Sequence, residues 1–149
     1  MISSDTIREL REKTGISVME CKNALEETNG DIKEAVRVLD KKFGGMASEK
    51  ASRAANDGIV EAYVHTNGKI GVLLQLHSET DFVARNPAFR ELAHDIAMQI
   101  AAMSPENPDD LFSQPFIKDP NRTIRDLIEE AVGKFGENIK VGQFVRYDI

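Results

Sequence analysis

The spacing of apolar residues between positions 58 and 103 constrains the fold more than any other feature of the chain. The first part of this stretch alternates apolar with polar residues, which is the period of a β-strand, and Asn67-Gly68 divides it in two. The alternating apolar residues are Val60, Ala62, Val64, Ile70, Val72, Leu74 and Leu76. We expect Val60 and Val64 to share a face of the hairpin with Val72 and Leu74. After Pro87 the apolar residues recur with the helical period, at Phe89, Leu92, Ala93, Ile96, Ala97 and Ile100. We therefore predict a β-hairpin followed by an amphipathic helix.

The rest of this C-terminal part adds one helix and one strand. Residues 104–108 break the pattern, and a second helical stripe then runs from Ile124 to Val132 and ends at Gly136. Residues 141–149 have the alternation of a third strand. This order predicts an α+β fold, with a small antiparallel three-stranded sheet that carries helices on one face.

The apolar spacing and the capping residues of positions 4–43 predict three short helices. Ser3 or Ser4 caps the first, which ends at Gly15, a capping box from Ser17 to Glu20 opens the second, and Asp31 caps the third. The predicted inward residues are Ile7, Leu10, Cys21, Ala24, Leu25, Ile32, Ala35, Val36 and Leu39. This part resembles a ubiquitin-associated three-helix bundle. We predict the bundle over residues 1–44, a linker of small and polar residues over 45–57, and an α+β core domain of a dimerisation type over 58–149.

Composition limits the class of protein. The net charge is −6, which argues against nonspecific nucleic-acid binding, because that needs a basic surface. A single cysteine, Cys21, allows no intrachain disulfide and fits a reducing compartment. The chain has no apolar run of the ~20 residues that span a membrane, and no secretory signal at its start. We therefore expect a cytoplasmic protein that binds neither membranes nor nucleic acid.

The sequence predicts no catalytic, cofactor or metal site. His65, His77 and His94 lack the spacing of metal ligands, and no phosphate-binding or dinucleotide-binding glycine motif occurs. Cys21 lies on the inward stripe of its helix, where a buried, inert thiol is expected. Because nothing assembles a nucleophile, a base and an oxyanion site, the hypothesis of a small hydrolase fails.

The segment Thr80-Asp81-Phe82-Val83-Ala84-Arg85-Asn86 joins the predicted hairpin to the predicted helix. Asn86 is a good N-cap and Pro87 suits the first helical position. An aromatic residue in such a turn has two interpretations. Phe82 either folds back into the core, which apolar burial favours, or projects from the turn into a partner.

This segment resembles a signature of the elongation factor Ts family, the nucleotide exchange factors of elongation factor Tu. Three further segments resemble that family in the same order: Thr14 to Leu25 with Asn29-Gly30-Asp31-Ile32 and Ala35, Gln114 to Asp119, and Gly136-Glu137-Asn138-Ile139. Four separated motifs in the right order cover most of the chain. The chain is identified as a member of this family.

The resemblance implies guanine-nucleotide exchange by protein contact, without covalent catalysis and without a cofactor. It implies that the bundle contacts the GTPase domain of elongation factor Tu, and that the Asp81-Phe82 turn enters near the switch and magnesium region. The partner-binding residues that it implies are Val18, Met19, Lys22, Thr80, Asp81, Phe82 and Val83. Met19 lies off the inward stripe of its helix, where a methionine is either simply exposed or an adaptable contact, and the resemblance favours the contact.

The chain also departs from the family. Members usually carry a long segment between the helix ending near Met103 and the Gln114-Pro115-Phe116 motif, and here only residues 104–113 fill that gap. The sequence therefore lacks the helical hairpin and the second sheet subdomain of longer members, together with the contacts that those parts make. A three-stranded sheet with one covered face leaves the other in need of cover, so we predict a homodimer.

The alternative function is a ubiquitin-associated-type adaptor, which accounts for the bundle but not for Asp81-Phe82.

Overall fold

A computed structural model describes the chain, except for the side chains of residues 43–49. The N-terminal part has three helices, namely α1 Ser4–Thr14, α2 Val18–Glu27 and α3 Ile32–Lys50. Ser3 caps α1 and Gly15 ends it with a φ of 71°, both as predicted. The Ser17 hydroxyl accepts the Glu20 amide, as the predicted capping box requires, whereas the Glu20 carboxylate pairs with Lys42 of α3.

The three helices bury their own hydrophobic cluster. Its fully or nearly buried members are Leu10, Ile16, Cys21, Ala24, Leu25, Ala35 and Leu39. Burial raises the pKa of the Cys21 thiol above its ordinary value, in agreement with the inert thiol expected from sequence. The predicted boundary at residue 44 and the start of the predicted linker, residues 45–49, fall on side chains outside the described residues. The division into domains therefore stays a prediction.

The C-terminal part contains, in chain order, β1 Asp57–Val64, β2 Ile70–Ser78, α4 Asp81–Ala84, α5 Pro87–Met103, α6 Pro108–Ser113, β3 Pro115–Phe116, β4 Asp119–Thr123, α7 Ile124–Phe135 and β5 Lys140–Asp148. β1, β2 and β5 form an antiparallel sheet with β2 in the centre. α5 packs on β1 and β2, and α7 packs on α5. The predicted α+β architecture is confirmed.

The two faces of the sheet differ in cover. Val72, Leu74 and Leu76 of β2 point into the main hydrophobic cluster, where Ile59 and Tyr63 of β1 join them. The opposite face carries exposed apolar side chains, namely Val60, Val64, Leu73, Val145 and Tyr147. We call these five residues the open sheet face.

The prediction that Val60 and Val64 share a face with Val72 and Leu74 is wrong. In the observed register Val60 pairs with Gln75 and Val64 with Gly71, so both valines share their face with Leu73. Both are 67% exposed. The error arises because β1 has apolar residues on both faces, and alternation alone does not say which set is buried.

Two short features were missing from the predicted order of elements. α6 lies where a simple chain break was expected: Asn107 caps it, Pro108 opens it, and Leu111 is fully buried. β3 and β4 form a separate two-stranded ladder before α7. Elements of two to six residues are too short to display a period, so sequence patterns do not detect them.

The helices that the structure describes include none long and apolar enough to cross a membrane.

Candidate partner-binding site

The turn between β2 and α5 is one turn of helix, α4. Thr80 caps it, and the Thr80 hydroxyl accepts the amide of Val83 at 3.3 Å. A four-residue helix is not stable by itself, because nucleating the first turn costs more than its few hydrogen bonds return. The turn must therefore be held by its contacts with the rest of the protein.

Phe82 projects from this turn into solvent and is 85% exposed. The interpretation of Phe82 as part of the core is therefore wrong, whereas its insertion into a partner stays a prediction. Val83 and Ala84, by contrast, are 5% and 1% exposed and belong to the main hydrophobic cluster. They anchor the turn from below, because successive helical residues point in different directions.

Asp81 and Arg85 flank the exposed aromatic ring with opposite charges. The Asp81 carboxylate lies 2.6 Å from the Arg85 Nε, and both side chains are more than half exposed. Such an exposed ion pair contributes little to stability. The pair can therefore open at little cost in stability.

Two glutamates bind the turn to the segment that follows α7. Glu137 accepts hydrogen bonds from the Glu79 and Thr80 amides and from the Thr80 hydroxyl. Glu79 in return accepts the amide of Asn138 at 3.1 Å. Residues 136–139 resemble a family motif, but the resemblance gives Glu137 and Asn138 no role. A glutamate and an asparagine after a helix-ending glycine indicate that the segment can form hydrogen bonds, but they do not indicate which turn it binds.

The second set of predicted contact residues opens α2. Val18 and Met19 are 50% and 72% exposed, and the Lys22 ammonium lies 3.8 Å from the Glu26 carboxylate on the helix surface. The expected off-stripe position of Met19 is thus confirmed. These residues lie on a helix that packs into the hydrophobic cluster of the bundle, whereas the Phe82 turn packs on the main hydrophobic cluster. The structure therefore presents two separate surfaces rather than one cluster.

The contact of α3 with α7 joins the two parts, and it brings carboxylates together. Burial, followed by the neighbouring Asp126 carboxylate, raises the pKa of Asp40 on α3 and of Glu129 on α7. Arg122 opposes the rise at Asp40, and Arg125 opposes it at Glu129. Ionisation of Asp40 and Glu129 is therefore disfavoured in the folded protein, first by burial and then by repulsion from Asp126.

Among the described residues, no group of three or more histidine, cysteine or acidic side chains is placed to hold a metal ion. His65 bonds the Tyr63 hydroxyl at 3.0 Å, and His77 lies 3.3 Å from the Asp57 carbonyl. The two histidines therefore do not face each other across the sheet.

Known proteins are similar to this chain over nearly its whole length. The family model described as elongation factor TS matches residues 3–110 and 79–149. Elongation factor Ts of Fervidobacterium nodosum is 42% identical over 99% of this chain and 98% of its own length. The Thermotoga maritima protein of that name is 40% identical over 99% and 96%, and the Carboxydothermus hydrogenoformans protein is 39% identical over 100% and 89%.

These alignments run over 191 to 194 positions, whereas the chain has 149 residues. The relatives thus carry residues within the aligned span that this chain lacks, in keeping with the shortening expected from its motifs. Both family-model matches include the Phe82 turn, and together they span nearly the whole sequence. The chain belongs to the elongation factor Ts family.

Proposed function

We propose that the protein binds elongation factor Tu and promotes the release of GDP from it. The observation that carries this proposal is Phe82, 85% exposed on a turn that is anchored on both sides. An exposed phenylalanine forgoes the free energy of burial, roughly 1.5–3 kcal/mol for a large apolar side chain. Burial in a partner recovers it.

The proposed mechanism is physical rather than covalent. Phe82 inserts between helices of the GTPase near its switch region, and Asp81 leaves Arg85 to form polar contacts with the partner. The inserted ring disturbs the magnesium site and the phosphate-binding loop, which together neutralise the diphosphate. GDP then binds more weakly and leaves. By linkage, GDP must weaken the binding of this protein by the same coupling free energy.

The bundle supplies affinity in this proposal. Val18 and Met19 offer exposed apolar contacts to the GTPase domain, and Lys22 exchanges Glu26 for an acidic group of the partner. Thr80 and Val83 act mainly within this chain, since one caps α4 and the other anchors it. The protein needs no cofactor of its own and works in the cytoplasm, where translation takes place.

Release of labelled GDP from elongation factor Tu tests the proposal. Saturating protein should accelerate release well above the spontaneous rate, and Phe82→Ala should lose most of that acceleration. Ile117→Ala is the matched control, because it removes an exposed apolar side chain that is not in the turn. Release at the spontaneous rate with saturating protein would remove the exchange function and favour the adaptor.

A further inference from the structure

Glu137 lies between the end of α7 and the start of β5, and its carboxylate holds the chain immediately before Phe82. One oxygen, Oε1, accepts the Glu79 amide at 3.1 Å and the Thr80 amide at 3.0 Å. The other, Oε2, accepts the Thr80 hydroxyl at 2.7 Å. One side chain therefore fixes both the backbone and the hydroxyl of the residue that caps α4.

The third of these hydrogen bonds also orients the cap. A hydroxyl has one hydrogen, and Thr80 donates it to Glu137, so its lone pairs remain to accept the Val83 amide. The Thr80 hydroxyl thus stands between the carboxylate and the first turn of α4. Bonds to an ionised carboxylate are stronger than neutral ones, and α4 is too short to order itself. The orientation of the turn depends on this carboxylate together with the buried Val83.

Glu137 is itself held from the other side by its neighbour. The Asn138 side chain is 3% exposed, and its Nδ2 donates to the Arg53 carbonyl at 2.7 Å. The Asn138 amide donates to Glu79, which also pairs with Arg53 at 3.8 Å. Because Asn138 is fixed in this way, Glu137 has a rigid base from which to bind the turn.

We propose that Glu137 is a positioning residue for nucleotide exchange, which holds α4 so that Phe82 meets the partner in a fixed orientation. This inference rests on the proposed function. Glu137 does not need to touch elongation factor Tu, since it acts through Thr80. Small displacements of a group that must fit a partner are enough to cost large factors in rate.

Two substitutions probe the carboxylate. Glu137→Ala removes both acceptor oxygens and with them three hydrogen bonds, and we expect the maximal rate of GDP release to fall about tenfold or more. The half-saturating concentration should change much less, because the bundle contacts remain. Glu137→Gln keeps one oxygen for the two amides but offers an NH₂ group to the Thr80 hydroxyl, so its loss should be intermediate. Glu106→Ala, which removes an exposed carboxylate elsewhere, should behave as wild type.

A double-mutant cycle separates positioning from general destabilisation. If Glu137 acts through Phe82, Glu137→Ala should cause no further loss in a Phe82→Ala background. A loss that multiplies with that of Phe82→Ala overturns the inference. Rates are normalised to the folded fraction, which thermal melting of each variant provides.

Amide hydrogen exchange supplies a readout that does not need the partner. In Glu137→Ala the amides of Glu79, Thr80 and Val83 should lose protection, while those in the middle of α5 keep theirs. Unchanged protection of the turn, with wild-type protein active in GDP release, overturns this inference alone. Failure of the wild-type protein to accelerate release overturns the proposed function instead, and the exchange role of Glu137 with it.

Discussion

Phe82 and Val83 follow each other in the chain, yet one side chain is 85% exposed and the other 5%. The Val83 side chain attaches the turn to the core, and the Phe82 side chain projects into solvent. Their different positions come from the helical geometry of α4, which the Thr80 cap begins. Substitutions at the two positions should therefore affect different properties.

We predict that Phe82→Ala changes the free energy of unfolding by less than about 0.5 kcal/mol, as exposed substitutions usually do. Val83→Ala should reduce it by about 1–3 kcal/mol, because it leaves space in the core. Thermal melting of both variants measures this difference, and GDP release measures activity. A large loss of stability in Phe82→Ala, with normal exchange by the folded fraction, would show that the ring does not act on the partner.

Substitution of Met19 tests whether the exposed start of α2 contacts the partner. Met19→Ala removes an exposed side chain that lies off the buried stripe, so we expect an unchanged melting temperature and an unchanged maximal rate of exchange. The half-saturating concentration should rise roughly three- to tenfold, which corresponds to a contact of about 1 kcal/mol. Met103→Ala, at another exposed methionine, is the control. Equal half-saturating concentrations for Met19→Ala and wild type would exclude the contact.

At the scale of single residues, the sequence located the turn but did not decide the position of Phe82. Asn86-Pro87 marked the helix start, and both lie where expected, with Asn86 as the N-cap of α5. The hydrophobic effect alone favours a buried phenylalanine, and only tertiary contacts overrule it. The contacts that hold its turn include those of Glu137, which lies more than fifty residues away in the chain and which local sequence patterns do not reveal.

At the scale of elements, long periodic segments were predictable and short ones were not. The hairpin, α5 and α7 have clear periods and strong terminal signals, including Gly68 and Gly136 with φ near 71°. An N-cap and the buried Leu111 hold α6, and the buried Phe116 holds the β3–β4 ladder. A search for periodic apolar residues does not detect such single contacts. The buried face of β1 was likewise decided by its register with β2.

The contact between α3 and α7 predicts a pH dependence of stability. Glu129 has a raised pKa in the folded protein, owing to burial and then to Asp126, with Asp40 adding to the rise. The folded state therefore binds the proton more tightly than the unfolded state, and this group makes stability fall as pH rises through the raised pKa. Neutralising Glu129 should remove that loss.

We accordingly predict that Glu129→Gln raises the melting temperature slightly at pH 7, by the equivalent of less than about 1 kcal/mol, since solvent screens a partly exposed group. The gain over wild type should shrink as the pH falls through the raised pKa toward the ordinary glutamate value of 4.5. Glu106→Gln serves as a control for loss of a carboxylate. A gain that stays constant between pH 7 and pH 4 would show that it does not come from the ionised Glu129 carboxylate.

At the scale of the whole molecule, the open sheet face is an apolar surface that the proposed contacts with elongation factor Tu do not use. Its five members lie on all three strands, and Val60, Val64 and Tyr147 are each at least 67% exposed. Soluble monomers rarely leave contiguous apolar patches uncovered. The helices of the α+β part lie on the opposite face and cannot cover it.

We propose that a second copy of the chain covers this face in a two-fold symmetric dimer, with sheet packed on sheet. Light scattering at micromolar concentrations should then give about twice the chain mass of 16.6 kDa. Leu73→Glu, at the centre of the face on β2, should return the mass to one chain, because a buried unpaired charge is costly. Ile117→Glu, an exposed position outside the sheet, should leave the dimer intact. A mass of one chain for the wild-type protein across the whole concentration range rules the dimer out and means that the open face stays hydrated.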